Sequence, residues 1–444
     1  MKSFYLPILL ALVTSAPAYA LDVLPADPAC TKLNLAAPLT LADAIQQAFC
    51  QNPQTRQWWA TVSNQQAQLR EAQAAYWPQL SAQYQIGKNQ SQSGGISSDT
   101  TPQSVNLSAT YLLYDFGGRD SAARLAGAQL QAAIATRDDD LNRLAYSVSQ
   151  AYLDALLAQE SLTAARTSEA SALEALKAAE VQLSVGRSIP ATKLQAQTAH
   201  SQAKLVRIKA EGTRATSLAT LANLMGIAPE TQFDLAPWHV EGLPNQAKAV
   251  AQLMDSAIAS RQDLRALQEQ VKAARASVDS ARAQGLPTLA LGASVGRQVG
   301  AGSPPANSQG IGLTISGPIF TGYRDTYRIR AAEANLEGAR AQETNLANQI
   351  KLDVWTAYQS YQTNTEALTA AHDAVVSGAE NEKLMLGRFK AGVGIMLDVL
   401  SAQASAATAR QQQASAEHDY LLSKFALAQA LGRLNSEPLP STGE

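Results

Sequence analysis

The amino-acid sequence predicts an α+β membrane protein built from two tandem structural repeats, in which paired short strands alternate with very long helices. Three observations indicate this fold class. The 444-residue chain aligns with itself at an offset of about 206 residues. Four segments alternate apolar and polar residues, as β-strands do. Two stretches of 66 and 69 residues contain no proline, and each is long enough for a helix of about 100 Å.

The overall composition excludes several classes of function. Charged residues make up 16% of the chain, and 35 basic residues nearly balance 37 acidic ones. No basic surface for nucleic acid is therefore expected. The common nucleophile, metalloprotease, nucleotide-binding and redox motifs are absent from the sequence, and its four histidines are scattered. We expect no enzymatic activity, no catalytic residue, no cofactor and no metal site.

The N-terminus reads as a signal peptide over residues 1–20. Lys2 supplies a positive charge, an apolar run from Phe4 to Val13 follows, and Ala20 ends a small-residue cleavage site. Residues 21–40 would then be an N-terminal periplasmic segment. In that oxidising compartment Cys30 and Cys50 could pair, which would stabilise the fold by about 3 kcal/mol for a loop of roughly 20 residues. The alternative is two unpaired, buried thiols.

The internal repeat rests on matches that occur in the same order in both halves of the chain. Gly186 aligns with Gly392 and Gly226 with Gly432, both at an offset of 206. Upstream the offset changes to 205 and then to 209. The first repeat spans 41–226 and the second spans 250–432. Residues 227–249 form a linker between them, and 433–444 form a C-terminal tail.

Each repeat is predicted as helix, strand, loop, strand, very long helix, turn and helix. In the first repeat these are helix 41–77, strands at about 79–88 and 104–115, and helices at about 119–184 and 192–226. In the second they are helix 250–286, strands at about 288–297 and 310–320, and helices at about 323–391 and 396–432. The loops between the strands are polar and rich in Gly, Ser or Pro, so we expect them to be mobile. In each repeat the two shorter helices together match the long one, which predicts that they stack end to end beside it.

The four predicted strands each have one apolar and one polar face. The first places Leu80 and Tyr84 on one face and Ser81 and Gln83 on the other. Their length of about ten residues fits a tilted membrane strand. Aromatic side chains flank the strands, as in a membrane-interface girdle. These aromatics are Trp77, Tyr114, Phe116, Phe320 and Tyr323. The alternative, a pair of hairpins on a soluble domain, is disfavoured because the alternating segments carry no charge.

Four strands are too few to close a barrel in lipid, where every backbone N–H and C=O needs a partner. Strands from other chains must therefore complete the sheet. Two copies would give eight strands and a filled interior, whereas three would give twelve and a watery one. The polar faces of Gln, Ser, Asn and Thr suit a water-filled lumen.

Several motifs resemble the TolC family of bacterial outer-membrane efflux and secretion channels. They are LADAIQQAFCQNPQTR, YLLYDFGGRD, GPIFTGYRD and RFKAGVGIMLDVLSAQ, and the resemblance covers residues 38–435. It implies a homotrimer in outer-membrane lipid, with a shared 12-strand β-barrel, four strands per chain, continued by a long α-helical periplasmic barrel. It also implies a periplasmic adaptor (membrane fusion protein) and an inner-membrane transporter as partners.

The resemblance further implies that the two helix-to-helix turns form the periplasmic tip, where the tunnel narrows and adaptors dock. The residues it singles out are Gly186, Arg187, Phe389, Gly392, Gly394 and Asp398. Three copies of Asp398 would form a ring across the pore and favour cations. The chain departs from some members of the family, which have an arginine at the position of Gly394. The alternative roles are helix packing for Phe389 and a carboxylate near a helix N-terminus for Asp398.

The expected function is an outer-membrane exit duct of a tripartite efflux pump or type I secretion system. It would be a passive trans-periplasmic channel for small molecules or unfolded proteins. A periplasmic helical-hairpin adaptor or scaffold without a pore is the alternative. That reading predicts one hairpin inserted in β-rich soluble domains rather than two duplicated units.

Overall fold

The computed structural model of the protein describes residues 37–93, 96–236, 250–300 and 304–434. The predicted signal peptide, Cys30 and most of the predicted segments 21–40, 227–249 and 433–444 lie outside these ranges. Within them are eight helices: α1 (Leu41–Gln51), α2 (Pro53–Ala74), α3 (Gly118–Ser184), α4 (Pro190–Leu224), α5 (Val250–Ser260), α6 (Gln262–Ala283), α7 (Arg324–Lys390) and α8 (Met396–Ala430). The same ranges contain six strands: β1 (Gln79–Ile86), β2 (Asn89–Ser93), β3 (Ile96–Thr100), β4 (Gln103–Tyr114), β5 (Thr288–Val299) and β6 (Ala306–Ser316).

Four strands form one antiparallel sheet in the order β1-β4-β5-β6. The first repeat supplies β1 and β4, the second supplies β5 and β6, and the two repeats meet where β4 pairs with β5. The register sets apolar residues opposite apolar ones, as with Leu107 and Val295, and polar ones opposite polar ones, as with Ser81 and Ser108. The two faces of the sheet therefore follow the alternation in the sequence.

The helices form two long antiparallel hairpins that extend from the sheet. The 67-residue α3 packs along α4, and the 67-residue α7 packs along α8. At 1.5 Å per residue each long helix spans about 100 Å. Helix α3 also lies against α1, α2, α6 and α8, so among the described helices it makes the main contacts between the two repeats.

The prediction of one continuous helix over 41–77 is wrong, because the chain breaks at Asn52. This residue has extended backbone angles, with φ −64° and ψ 127°. Its side chain accepts a hydrogen bond from the backbone N–H of Gln54 at 2.9 Å and so caps α2. Pro53 occupies the first turn of α2, and a residue that precedes proline avoids the helical region.

The second repeat breaks at the equivalent place, so the prediction of one helix over 250–286 is also wrong. Arg261 has φ −67° and ψ 127°, and it lies 209 residues after Asn52, which is one of the offsets of the repeat. No proline follows Arg261. Its guanidinium instead bonds Asp263 at 2.6 Å and Asp353 on α7 at 3.0 Å.

Each break receives the C-terminal end of another helix. At the end of α4, Gly226 has φ +72°, and a Cβ there would lie 2.7 Å from the backbone oxygen of Gln51. Asn52 donates its side-chain amide to the oxygen of Leu224 at 3.0 Å. At the end of α8, Gly432 approaches Arg261 in the same way. This is the end-to-end arrangement that the helix lengths predict.

The segment predicted as a loop between the first two strands contains two further strands, which corrects that part of the prediction. Strands β2 and β3 form a separate two-stranded sheet in which Asn89 pairs with Thr100. In the sequence, Gly94 and Gly95 separate the two runs, and such a pair is typical of tight hairpin turns. In the second repeat β5 extends to Val299 and β6 begins at Ala306, so the predicted loop is shorter there.

The largest buried cluster lies where α1, α3, α4 and α8 meet. Tyr152 on α3 is fully buried there, and its hydroxyl is within hydrogen-bonding distance of the backbone oxygens of Leu39 at 2.9 Å and Ala236 at 3.1 Å. Burial raises the pKa of Tyr152 to about 12, so its hydroxyl keeps its proton at neutral pH. Tyr152 therefore ties the chain on either side of the first repeat to its long helix.

Candidate functional site

The predicted aromatic girdle is brought together at one end of the sheet. Trp77 precedes β1, Tyr114 ends β4, and Phe320 follows β6. The pairing of Gln79 with Thr110 and of Thr288 with Ser316 puts these points at the same edge. Tyr114 meets Phe116 edge to face with ring centroids 4.8 Å apart, and Phe320 meets Tyr323 at 5.9 Å. All five aromatic side chains are exposed.

The apolar face of the sheet is also exposed. Leu80 is 84% accessible and Ile311 is 78% accessible. Their neighbours on this face include Tyr84, Val105, Val295, Leu313 and Ile315, which are exposed as well. An exposed apolar surface of this extent is typical of a face that contacts a membrane or another protein.

The corners between strand and helix are held by charged side chains from the motifs quoted above. Asp115 accepts from the backbone N–H of Arg119 at 2.7 Å and so covers the start of α3. Arg119 in turn donates to the oxygen of Leu112 at 2.7 Å and lies over the ring of Tyr76 at 4.9 Å. The C-terminal end of β4 is thereby fixed to the first turn of α3.

At the opposite end of the hairpins, the two turns have the same backbone. Gly186 has φ +73° and Gly392 has φ +79°, which a residue with a side chain rarely adopts. In each turn the residue after the glycine donates its N–H to the backbone oxygen five residues earlier, as in a Schellman motif. Arg187 donates to Gln182 at 2.9 Å, and Val393 donates to Arg388 at 3.0 Å. The glycines are thus required by the turn itself.

Phe389 does not face outward. Its side chain is buried with Met396 and Val399 against Ala175 and Ala179 of the other hairpin. The structure therefore supports the alternative of helix packing for this residue, and its role at the aperture or in adaptor docking stays a prediction. Gly394 supports the same cluster, because a Cβ there would lie 3.1 Å from the backbone nitrogen of Phe389.

The remaining tip residues are accessible. Asp398 lies in the first helical turn of α8 and is exposed. Arg187, in the connection between α3 and α4, is exposed as well. A carboxylate in this position is stabilised by the positive end of the helix dipole. The geometry leaves Asp398 available to a ligand, an ion or another chain.

Two contacts that sequence reasoning missed link the hairpins at the tip. The side-chain amide of Gln182 on α3 donates to the backbone oxygen of Lys390 on α7 at 3.1 Å. The ammonium of Lys390 forms an ion pair with Glu174 of α3. Their separation in the sequence is more than 200 residues, and neither belongs to a recognisable motif, so only the register between the repeats could have revealed them.

A long groove of about 990 Å³ runs between α4 and α8, with α3 as its floor. Its walls are mainly Ala and Gln, including Ala199, Gln202 and Ala407. Glu382 also lines the groove, and its carboxylate is paired with Arg410.

Cys50 lies near the end of α1 and is disulfide-bonded. Cys30 is the other cysteine of the sequence, but it lies outside the described residues. Pairing of Cys30 with Cys50 therefore stays a prediction.

The family model described as outer membrane efflux protein matches residues 44–227 and 253–433, which are the two repeats. The chain belongs to the outer membrane efflux protein family. Protein CyaE of Bordetella pertussis is 30% identical over 408 residues, covering 89% of this chain and 84% of that protein. The outer membrane protein TolC of Salmonella enteritidis is 25% identical over 418 residues, covering 90% and 83%. The resemblance to the TolC family is therefore confirmed.

Solved structures confirm the fold. The outer membrane protein VceC of Vibrio cholerae matches with a TM-score of 0.76 and 19% identity, covering 88% of this chain and 96% of that one. Within the described part of the chain, no helix is both long and apolar enough to cross a bilayer. The described residues also contain no group of three or more His, Cys, Asp or Glu side chains that could hold a metal ion.

Proposed function

We propose that the protein is the outer-membrane exit duct of a tripartite efflux pump or a type I secretion system. It would be a passive channel whose cargo, small molecules or unfolded proteins, enters from the periplasmic tip. The observation that carries the proposal is a four-stranded sheet with an exposed apolar face, mounted on the ends of two hairpins of about 100 Å.

The open edges of the sheet support assembly into a trimer. Among the described strands, β1 pairs with β4 alone and β6 with β5 alone. Pairing of β6 with β1 of a neighbouring chain would satisfy both edges, and three chains would close a barrel of twelve strands with a wet interior. The polar face would then line the lumen, and the apolar face would contact outer-membrane lipid.

Exposed apolar residues on the helices support lateral packing of the hairpins. Leu205 and Ile208 are exposed on α4, and Val376 and Leu384 are exposed at similar distances from the tip on α7. These side chains would be buried if α4 of one chain packed against α7 of the next, which would continue the barrel as an α-helical tunnel through the periplasm. An adaptor would dock at its tip and connect it to an inner-membrane transporter.

Electron microscopy of the detergent-purified mature protein tests the assembly. We expect a tapered three-fold particle about 130 Å long, from about 100 Å of helix and about 30 Å of membrane span. A monomeric or compact particle would contradict the duct and favour a pore-free periplasmic scaffold.

The proposed aperture is tested by ion selectivity. If three copies of Asp398 face the pore at the tip, Asp398→Asn weakens cation selectivity in planar bilayers. Asp373→Asn is the matched control, because Asp373 is an exposed carboxylate on α7, well above the turn. Unchanged selectivity of the Asp398 variant, or an equal loss in the control, would remove Asp398 from the aperture.

A further inference from the structure

A histidine lies on the seam where α8 of the second repeat crosses α3 of the first. The Nε2 atom of His418 is 2.8 Å from Oδ1 of Asp154 on α3, and its Nδ1 atom is 2.9 Å from Oδ1 of Asp419. The ring is largely buried, with 11% of the side chain accessible. Both ring nitrogens therefore contact carboxylate oxygens, and the two carboxylates themselves remain partly exposed to solvent.

The protonation state of the ring follows from this geometry. Carboxylates are acceptors only, and a neutral imidazole carries a single N–H. The neutral ring can satisfy one of the two carboxylates and would set a nitrogen lone pair against the other. The imidazolium form donates to both and also neutralises part of their mutual repulsion. The arrangement is thus complete only when His418 is charged.

We propose that His418 is a proton-operated clasp, which fixes α8 to α3 when the ring is charged and releases this tie when the ring loses its proton. The clasp is a property of the chain itself and does not rest on the proposed channel function. It would make the seam between the two repeats sensitive to periplasmic pH.

Two other contacts along the described seam are made by side-chain amides, which do not titrate near neutral pH. Below His418 toward the tip, Gln411 bonds the hydroxyl of Ser161 at 3.1 Å, and Gln403 bonds the backbone oxygen of Ser171 at 2.9 Å. These amide links hold at any physiological pH. His418 is thus the link of this series whose strength changes with pH.

The groups around the ring come from each helix packed on this part of α8. From α3, Asp154 faces the ring, and Tyr146 lies near Asp154 with its pKa raised mainly by burial. From α7, the uncharged amide of Asn364 donates to the backbone oxygen of Asp419 at 3.1 Å.

On α8 itself, Glu417 accepts from Gln413 at 2.9 Å. Among the described residues, the charged side chains that shift the pKa of His418 are Asp154 and Asp419. The carboxylates that touch the ring are therefore the ones that control it.

The direction of the pH dependence follows. The hydrogen bond to Asp154 raises the pKa of His418 above its ordinary value near 6.5, burial opposes this, and Asp419 adds to the rise. Because the folded chain binds the proton more tightly than the unfolded chain, the stabilisation is complete below pH 6.5. It is lost as pH rises through the raised pKa.

The seam between repeats contains this clasp on one side only. At the offset of 206, Asp154 corresponds to Ser360 and His418 corresponds to Gly212. The equivalent positions, on α7 and α4, therefore cannot form the same carboxylate–histidine contact.

Two measurements on the full-length protein in detergent test the clasp. The first is an NMR titration of the histidine Cε1–H signals, assigned with single His→Gln variants. We expect the pKa of His418 to lie above 6.5 and to fall in Asp154→Asn. A pKa at or below 6.5 in the unmodified protein would overturn the proposal.

The second measurement compares thermal unfolding at pH 6 and pH 9. We expect His418→Gln to lower the Tm relative to the unmodified protein at pH 6, and the difference to shrink at pH 9. His372→Gln is the control, because His372 is exposed on α7 and its replacement removes a histidine while leaving the seam between α3 and α8 intact. A His418→Gln difference that is the same at both pH values would reduce the residue to ordinary packing and overturn the clasp.

Discussion

The two hairpin tips have the same backbone conformation, but they contribute different side chains to the buried cluster between them. The second repeat inserts large side chains, Phe389, Met396 and Val399, into the core of the tip. The equivalent positions of the first repeat are Leu183, Pro190 and Lys193.

The first repeat instead contributes the small residues Ala175, Ala179 and Ala196 that receive those side chains. Lys193 turns outward to pair with Glu180 at 3.1 Å. Duplication thus preserved the turn, while the two copies diverged into complementary halves of a single core.

The largest expected effect tests this division of roles. Phe389→Ala should destabilise the tip by about 3–5 kcal/mol, the usual cost of emptying a buried aromatic site. Leu183→Ala, at the equivalent but partly exposed position, should cost less than half as much. Hydrogen exchange of the amides in residues 385–400 measures the local opening. Equal effects at the two positions would show that the tips are not divided in this way.

The second prediction compares two glycines with the same left-handed backbone. Gly186→Ala should cost about 1–2 kcal/mol from backbone strain alone, because nothing lies within 4 Å of the added Cβ. Gly226→Ala adds a contact of 2.7 Å with the oxygen of Gln51, and should cost about 2–4 kcal/mol in total.

Thermal unfolding followed by circular dichroism ranks the two variants. The reverse order would mean that the junction of α4 with the break at Asn52 opens freely to accommodate a side chain.

The third prediction compares two ion pairs whose removal should change stability least but should affect channel opening differently. Glu174→Gln removes the ion pair with Lys390 of the other hairpin, and Glu180→Gln removes the pair with Lys193 of its own hairpin. All four side chains are well exposed, so each variant should change stability by less than about 1 kcal/mol.

Only the Glu174 variant should raise the open probability of single channels in planar bilayers, because only that pair joins the two hairpins. An equal response of both variants would indicate a general effect of surface charge.

The sequence predicted the long helices and both faces of the sheet because these depend on local periodicity. Helix α3 begins one residue before the predicted 119 and ends at 184, and the alternation at Leu80 and Ser81 holds across the sheet. Pro53 signals the break at Asn52, but the helix-favouring composition on both sides of it predicts an uninterrupted helix. The break at Arg261 has no such signal, and it follows only when the repeat offset is applied to the first.

The candidate site was less predictable, because its contacts join residues that are distant in the chain. Phe389 could be placed in a turn from its motif, but the direction of its side chain depends on the alanines of α3. The pairs Glu174–Lys390 and Asp154–His418 depend on the register between the repeats, for which the sequence provides no local pattern.

The end-to-end junctions at Asn52 and Arg261 give the two layers of each hairpin different mechanical properties. The long helices are continuous rods from the sheet to the tip, whereas the helices beside them are jointed where α4 meets α1 and α8 meets α5. A continuous helix resists bending along its whole length, whereas a joint concentrates bending at one level. A force applied at the tip would therefore be transmitted along α3 and α7. The jointed helices beside them would bend at the level of Gly226 and Gly432, about midway along α3 and α7.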